Sequence, residues 1–140
     1  MSGDCVFCRI LRGDAPAAFV YQDEQIAAFL DLYPVQAGHT LVVPKAHVAD
    51  LVACSADLAG RLFAASGRLA PAIVAAAGAD GFNIWTACGR AAGQSVFHLH
   101  LHILPRFRTD QFGLRFPRGY PREADRAALD AMAARIRGRV

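Results

Sequence analysis

Residues 97–105 read FHLHLHILP, and this run constrains the chain more than any other. The alternation predicts a strand over Val96–Leu104, in which successive side chains point to opposite faces. His98, His100 and His102 then share one face, while Leu99, Leu101 and Ile103 point the other way into a core. At a rise of about 3.3 Å per residue, successive imidazoles sit roughly 7 Å apart at Cα. A buried imidazole needs hydrogen-bond partners, so an ordinary core gains nothing from three of them. Two chemistries suit such a row. Three imidazoles can ligate one zinc ion, as in a hydrolytic metalloenzyme. Alternatively, one imidazole whose far nitrogen is held by an acceptor is a good nucleophile toward phosphorus.

The rest of the chain supplies a sheet for that strand to join. Ala18–Tyr21 and Ile26–Asp31 read as two short strands around Gln22–Asp23–Glu24, His39–Val43 as a buried strand between Gly38 and Pro44, and Phe82–Ala87 as a further strand. Residues 5–11 predict a helical turn ending at Gly13. A long helix starts at Ser55 as N-cap, carries Leu58, Leu62, Leu69 and Ile73 on its apolar face, and ends at Gly78–Gly81. Pro71 is expected to kink or break it. Glu123–Arg137 predicts a last helix with Leu129, Met132 and Ile136 on one face. The expected class is α+β: an antiparallel sheet of about five strands with the long helix and the C-terminal helix packed on it.

With 140 residues, no repeats and no low-complexity linker, the chain reads as one domain over 1–140. Its 54% hydrophobic and 19% charged residues exclude a disordered chain. No stretch is long and apolar enough to cross a bilayer, and MSGDCVFCRI lacks a signal peptide's apolar segment, so the expected location is cytoplasmic. The net charge of +3 favours an anionic ligand without identifying one. Nine arginines follow residue 105; they read as a solvated surface, with nucleic acid not expected as a partner. The four cysteines include one close pair, Cys5-x-x-Cys8, for which metal binding and a redox dithiol are both open readings. No βαβ unit precedes the pair, which weighs against the dithiol. Cys54 and Cys88 are expected to be buried, inert thiols.

The run His98-Leu99-His100-Leu101-His102-Ile103-Leu104 resembles the signature of the histidine triad (HIT) family. The resemblance extends to Gly93-Gln94-Ser95-Val96, to Phe29-Leu30-Asp31 and to Gly38-His39-Thr40-Leu41-Val42-Val43-Pro44-Lys45. It begins at Cys5-x-x-Cys8 and spans about residues 5–107, leaving 108–140 as a C-terminal tail and helix without a matched motif. It points to the branch of HINT-type nucleotide phosphoramidases and bacterial HIT hydrolases.

That resemblance implies a HIT-like fold whose sheet continues across a homodimer, and a purine nucleotide or nucleotide conjugate as substrate. It implies that His100 attacks the α-phosphate of a nucleoside phosphoramidate, dinucleoside polyphosphate or related AMP conjugate and forms a nucleotidyl-histidine that water resolves. His102 and His39 would complete the catalytic arrangement, with backbone N–H groups stabilising the phosphoryl oxygens. Gln94 and Ser95 would lie near the scissile bridge. Ser95 has a hydroxyl able to donate to the leaving group; the plain alternative is a turn serine. Asp31 would accept the ribose hydroxyls, where the residue alone reads equally as a strand-end turn. The base is placed by position in an apolar slot near Phe7, Ile10, Phe29 and Leu30. In zinc-bearing relatives the cysteine pair is joined by a histidine after the Pro-Lys element and by the first triad histidine. Here those are Cys5, Cys8, His47 and His98, around a structural Zn(2+).

One position departs from the pattern. Relatives commonly carry asparagine before the Gly-Gln-Ser element, where this chain has Ala87, which cannot hydrogen-bond through its side chain. Two rival readings remain at this stage. One is a zinc-dependent hydrolase with His98, His100 and His102 all on the metal. The other is a non-catalytic nucleotide-binding or interaction protein.

Overall fold

The computed structural model of the chain describes residues 5–140. Five strands form one sheet, β1 (Phe19–Gln22), β2 (Ile26–Leu30), β3 (Thr40–Pro44), β4 (Gly81–Trp85) and β5 (Leu101–Arg106), in the order β1-β2-β3-β5-β4 with every neighbouring pair antiparallel. The helices are α1 (Val6–Arg12), α2 (Ala56–Ala77) and α3 (Arg126–Arg137), with a single 3₁₀ turn at Arg90–Ala92. The class is the expected α+β. The chain divides into two compact units, one ending at Asp110 and the other over 111–140. The second holds α3, capped by Asp125 on the Ala128 N–H, and a stacked Phe116–Tyr120 pair. No helix among the described residues is long and apolar enough to cross a membrane.

Side-chain alternation splits the first unit into two faces. Ile26, Ala28, Val42, Leu99, Leu101 and Ile103 bury against Leu62, Ala65, Ala70 and Ile73 of α2. Ala27, Phe29, Leu41 and Val43 turn the other way and bury Phe7 and Ile10 of α1. Each large side chain so buried contributes about 1.5–3 kcal/mol. The histidines lie on the α1 side, where Phe7 meets the rings of His98 and His100 edge-on at 5.8 and 5.2 Å.

Local chemistry sets the helix ends as the sequence predicts. Gly13 adopts φ +84 and closes α1 through its N–H, with the Asp14 N–H returning to Arg9 O. Ser55 caps α2 on the Leu58 N–H, and Gly78 closes it at φ +66.

The prolines and the histidine strand depart from expectation. Pro71 neither breaks nor ends α2, which runs unbroken from Ala56 to Ala77. The carbonyl that loses its partner belongs to Gly67, whose backbone adapts with least resistance, and buried Leu62, Ala65, Ile73 and their neighbours hold the helix on both sides of the proline. The strand expected over Val96–Leu104 begins at Leu101 and continues to Arg106. Pairing with β3 stops at Val42↔Leu101. Upstream, the Leu99 N–H bonds Val48 O at 2.7 Å and Thr86 Oγ1 donates to His100 O at 2.8 Å. The alternation of faces nevertheless persists through this segment, since Leu99 lies in the α2-side core.

Candidate functional site

The hydrogen bonds of the histidines assign their protons one after another. The Val35 N–H donates to His39 Nδ1 at 3.1 Å, so that nitrogen carries the lone pair. Burial keeps His39 neutral by lowering its pKa, which leaves its proton on Nε2. His39 Nε2 lies 2.9 Å from His102 Nδ1 and donates to it. Burial, with His100 and His39 adding to it, pushes the pKa of His102 down to about 4. A neutral His102 accepting at Nδ1 must carry its proton on Nε2. His100 Nδ1 donates to the carbonyl of His98 at 2.7 Å, so in the neutral ring Nε2 is the nitrogen with the lone pair. The pair His100–His102, with ring centroids 4.8 Å apart, therefore presents one lone pair beside one N–H.

His98 belongs to a second centre. Its Nε2 donates to Pro44 O at 2.8 Å, so Nδ1 carries a lone pair. That nitrogen faces Cys5 Sγ at 3.4 Å, Cys8 Sγ at 3.6 Å and His47 Nδ1 at 3.3 Å, with Cys8 Sγ to His47 Nδ1 also 3.3 Å. A tetrahedral site with metal–S near 2.3 Å and metal–N near 2.0–2.1 Å has ligand–ligand edges of about 3.3–3.8 Å. These four distances fall in that range, all four donor atoms lie within 4.8 Å of one another, and the cluster can hold a metal ion. All four cysteines are free; Cys54 is half-buried, and Cys88 is exposed in the loop after β4 rather than buried as expected.

Thus His98 points away from His100 and His102. Among the described residues, no metal-binding group joins the three triad histidines. Asp31 closes the other flank, with Oδ2 3.7 Å from His39 Nε2 and Oδ1 accepting the Tyr33 N–H. Its backbone N–H bonds His39 O, so the loop between β2 and β3 brings the two residues together.

A HIT domain pattern matches residues 12–109. This chain belongs to the HIT family. It is 45% identical over 111 residues to the protein hit of Bacillus subtilis, covering 79% of this chain and 77% of that one. It is 38% identical over 110 residues to the adenylylsulfatase HINT3 of Arabidopsis thaliana, covering 79% of this chain and 56% of that protein. Among solved structures, a Streptococcus mutans protein superposes with a TM-score of 0.92 at 41% identity, covering 99% of this chain and 87% of that one. A zinc-bound histidine triad protein of Mycobacterium smegmatis superposes with a TM-score of 0.77 at 39% identity, covering 96% and 99%.

In this HIT protein the remaining sequence candidates fall in distinct places. Gln94 is buried, and its amide is engaged by the backbone: Oε1 accepts the Gly89 N–H, and Nε2 donates to Ala49 O and Val96 O. It pins the Gly89–Gly93 turn, and Ser95 is exposed just beyond it. Phe7, Ile10 and Phe29 are buried on one another, whereas Leu30 is 41% exposed. Of the four residues considered for a base slot, Leu30 alone offers open surface.

Sequence reading missed two residues of the site. Trp85 stacks on His102 at 4.8 Å and 14°, and Thr86 holds the His100 carbonyl. Both lie at the end of β4. Pairing that strand with the histidine strand would have singled them out, because Trp85 lies directly across from His102.

Proposed function

We propose that this HIT protein cleaves nucleotides at the α-phosphate through a covalent nucleotidyl-histidine on His100. The observation that carries this reading is the His100 Nδ1 bond to the His98 carbonyl, which leaves Nε2 as the ring nitrogen able to attack. In the first step Nε2 forms a bond to phosphorus, and the bond from phosphorus to the leaving group breaks. The exposed Ser95 hydroxyl donates a hydrogen bond to the departing atom. The His102 Nε2–H, held by His39, faces a phosphoryl oxygen as negative charge grows there. In the second step water takes the place of the leaving group, the P–N bond breaks, and the nucleoside monophosphate and neutral His100 are restored.

Asp31 accepts the ribose hydroxyls, and the base lies against the apolar surface that includes Leu30 over Phe29. Gln94 acts by fixing the turn that presents Ser95. The substrate class is a purine nucleotide conjugate: a phosphoramidate, a dinucleoside polyphosphate or a mixed anhydride such as adenylyl sulfate, the last supported by the HINT3 relative. Cys5, Cys8, His47 and His98 hold a structural zinc, as their donor set and edges suit, supported by the zinc-bound relative. Zinc there ties the N-terminal helix to the histidine segment. The chain acts in the cytoplasm as a homodimer, for which the open edge of β4, with Phe82 43% exposed, is the natural pairing surface.

The test is to mix the protein with adenosine 5′-phosphoramidate or adenylyl sulfate, quench under alkaline denaturing conditions that spare a P–N bond, and map the adduct by mass spectrometry. We expect AMP on His100, and we expect His100→Ala to abolish turnover while AMP affinity stays within about tenfold. Turnover with an adduct on His39 or His102 overturns the assignment.

A further inference from the structure

The single tryptophan of the chain sits on the acid side of the histidine pair. Trp85 ends β4 and lies in register with His102 on β5. Their rings are stacked, centroids 4.8 Å apart and planes 14° from parallel, and the indole also flanks His39 at 6.1 Å. One hydrogen bond, His39 Nε2 to His102 Nδ1 at 2.9 Å, sets the direction of one ring nitrogen but leaves the imidazole free to swing about that bond. A flat ring against its face removes the remaining freedom.

We propose that Trp85 is a positioning residue for this site, whose indole face holds the His102 ring so that Nε2–H stays aimed beside the His100 lone pair. The proposal rests on the nucleotidyl-histidine reading. Stacking fixes the ring plane in the resting protein. The hydrogen bond from the His102 Nε2–H strengthens as negative charge develops on the phosphoryl oxygen, so a ring that is badly aimed loses more in the transition state than in the ground state. The effect of the stack therefore falls on kcat rather than KM. The titratable groups around His102 are His39, His100 and Asp31, and none of them occupies the face that Trp85 covers.

Steady-state kinetics on adenylyl sulfate and adenosine 5′-phosphoramidate test this with three variants. We expect Trp85→Ala to lower kcat by about tenfold with KM within about twofold. Trp85→Phe should recover most of kcat, and Trp85→Leu, which fills space without a π face, should not. A Trp85→Leu protein as fast as Trp85→Phe, or a loss confined to KM, overturns the proposal.

Intrinsic fluorescence gives an independent reading, because Trp85 is the sole emitter of its kind and an imidazolium in contact quenches indole. Emission of the parent should fall on acidification in a step near pH 4 that His102→Asn removes. A step of equal size in His102→Asn overturns the stack. Should the parent turn over none of the conjugates, the reaction reading fails, and the fluorescence arm still decides whether Trp85 holds His102.

Discussion

A backbone amide, the Val35 N–H, sets the proton placement of His39 and, through it, of His102. By filling His39 Nδ1 it sends the His39 proton toward His102 Nδ1 and the His102 proton to Nε2. Because burial holds the folded His102 near pKa 4 against 6.5 in the unfolded chain, the unfolded state binds more protons between those values. Stability therefore declines as pH falls from 6.5 to about 4, and below that His102 takes no further part in the decline. Urea melts across this interval should show a shallower pH slope for His102→Asn than for the parent; equal slopes would mean that His102 is not held neutral. At Asp31, Asp31→Ala should raise KM more than it lowers kcat, since a ribose contact is made in ground and transition states alike. Equal activity of the parent on ribo- and deoxyribonucleotide conjugates would remove that role. His98, His100 and His102 were legible because their alternation has no use in an ordinary core. The Val35 contact was not, because an anonymous backbone N–H leaves no mark on the sequence.

Loops and strand ends do the positioning between residues. The loop from Asp31 to His39 is fastened at both ends: Asp31 N–H to His39 O at its base, and Gln36 Nε2 to Asp110 Oδ2 further out. Asp110 also accepts two bonds from Arg106 and the Phe107 N–H, and these hold its carboxyl well below the ordinary range. Gly38 turns this loop back into β3 at φ +89, and a Cβ there would meet Pro105 Cγ at 3.1 Å. Gly38→Ala should cost about 1–3 kcal/mol from the backbone conformation alone. It should also raise KM by displacing Asp31 and His39, with denaturant melts and kinetics as the two measurements. Unchanged melts would show that the loop relaxes around the new methyl. Caps were legible at this scale, because Ser55, Gly13 and Gly78 act on their immediate neighbours. Strand onset was not. Leu101 begins β5 because Val48 and Thr86 claim the backbone groups just before it, the Leu99 N–H and the His100 carbonyl, and such contacts are tertiary. Pro71 misled for the same reason: propensity argued for a break, and burial on both sides of it decided otherwise.

At the level of the first unit, the sheet separates an apolar face under α2 from a histidine face under α1. That division was legible from alternation alone, even where the strand boundaries shifted. The cysteine–histidine cluster draws on residues 5–8, 47 and 98, three segments that share no strand pairing with one another, so removing a metal from it should loosen all three. We expect chelation, Cys5→Ser and Cys8→Ser each to release one zinc per chain and lower Tm by about 10 °C or more, at roughly 3 °C per kcal/mol for a domain of this size. Activity should fall only in step with unfolding. Metal analysis beside thermal melts checks both, and loss of turnover at once in a protein that stays folded would favour direct participation of the metal. His98 meets both centres with different parts of itself: its ring faces the cysteines, and its carbonyl accepts the hydrogen bond from His100 Nδ1. Any codon at position 98 still specifies a carbonyl. Inherited change can strip the imidazole from this place but cannot delete the acceptor, so the hold on His100 is written into the path of the chain rather than into a side chain.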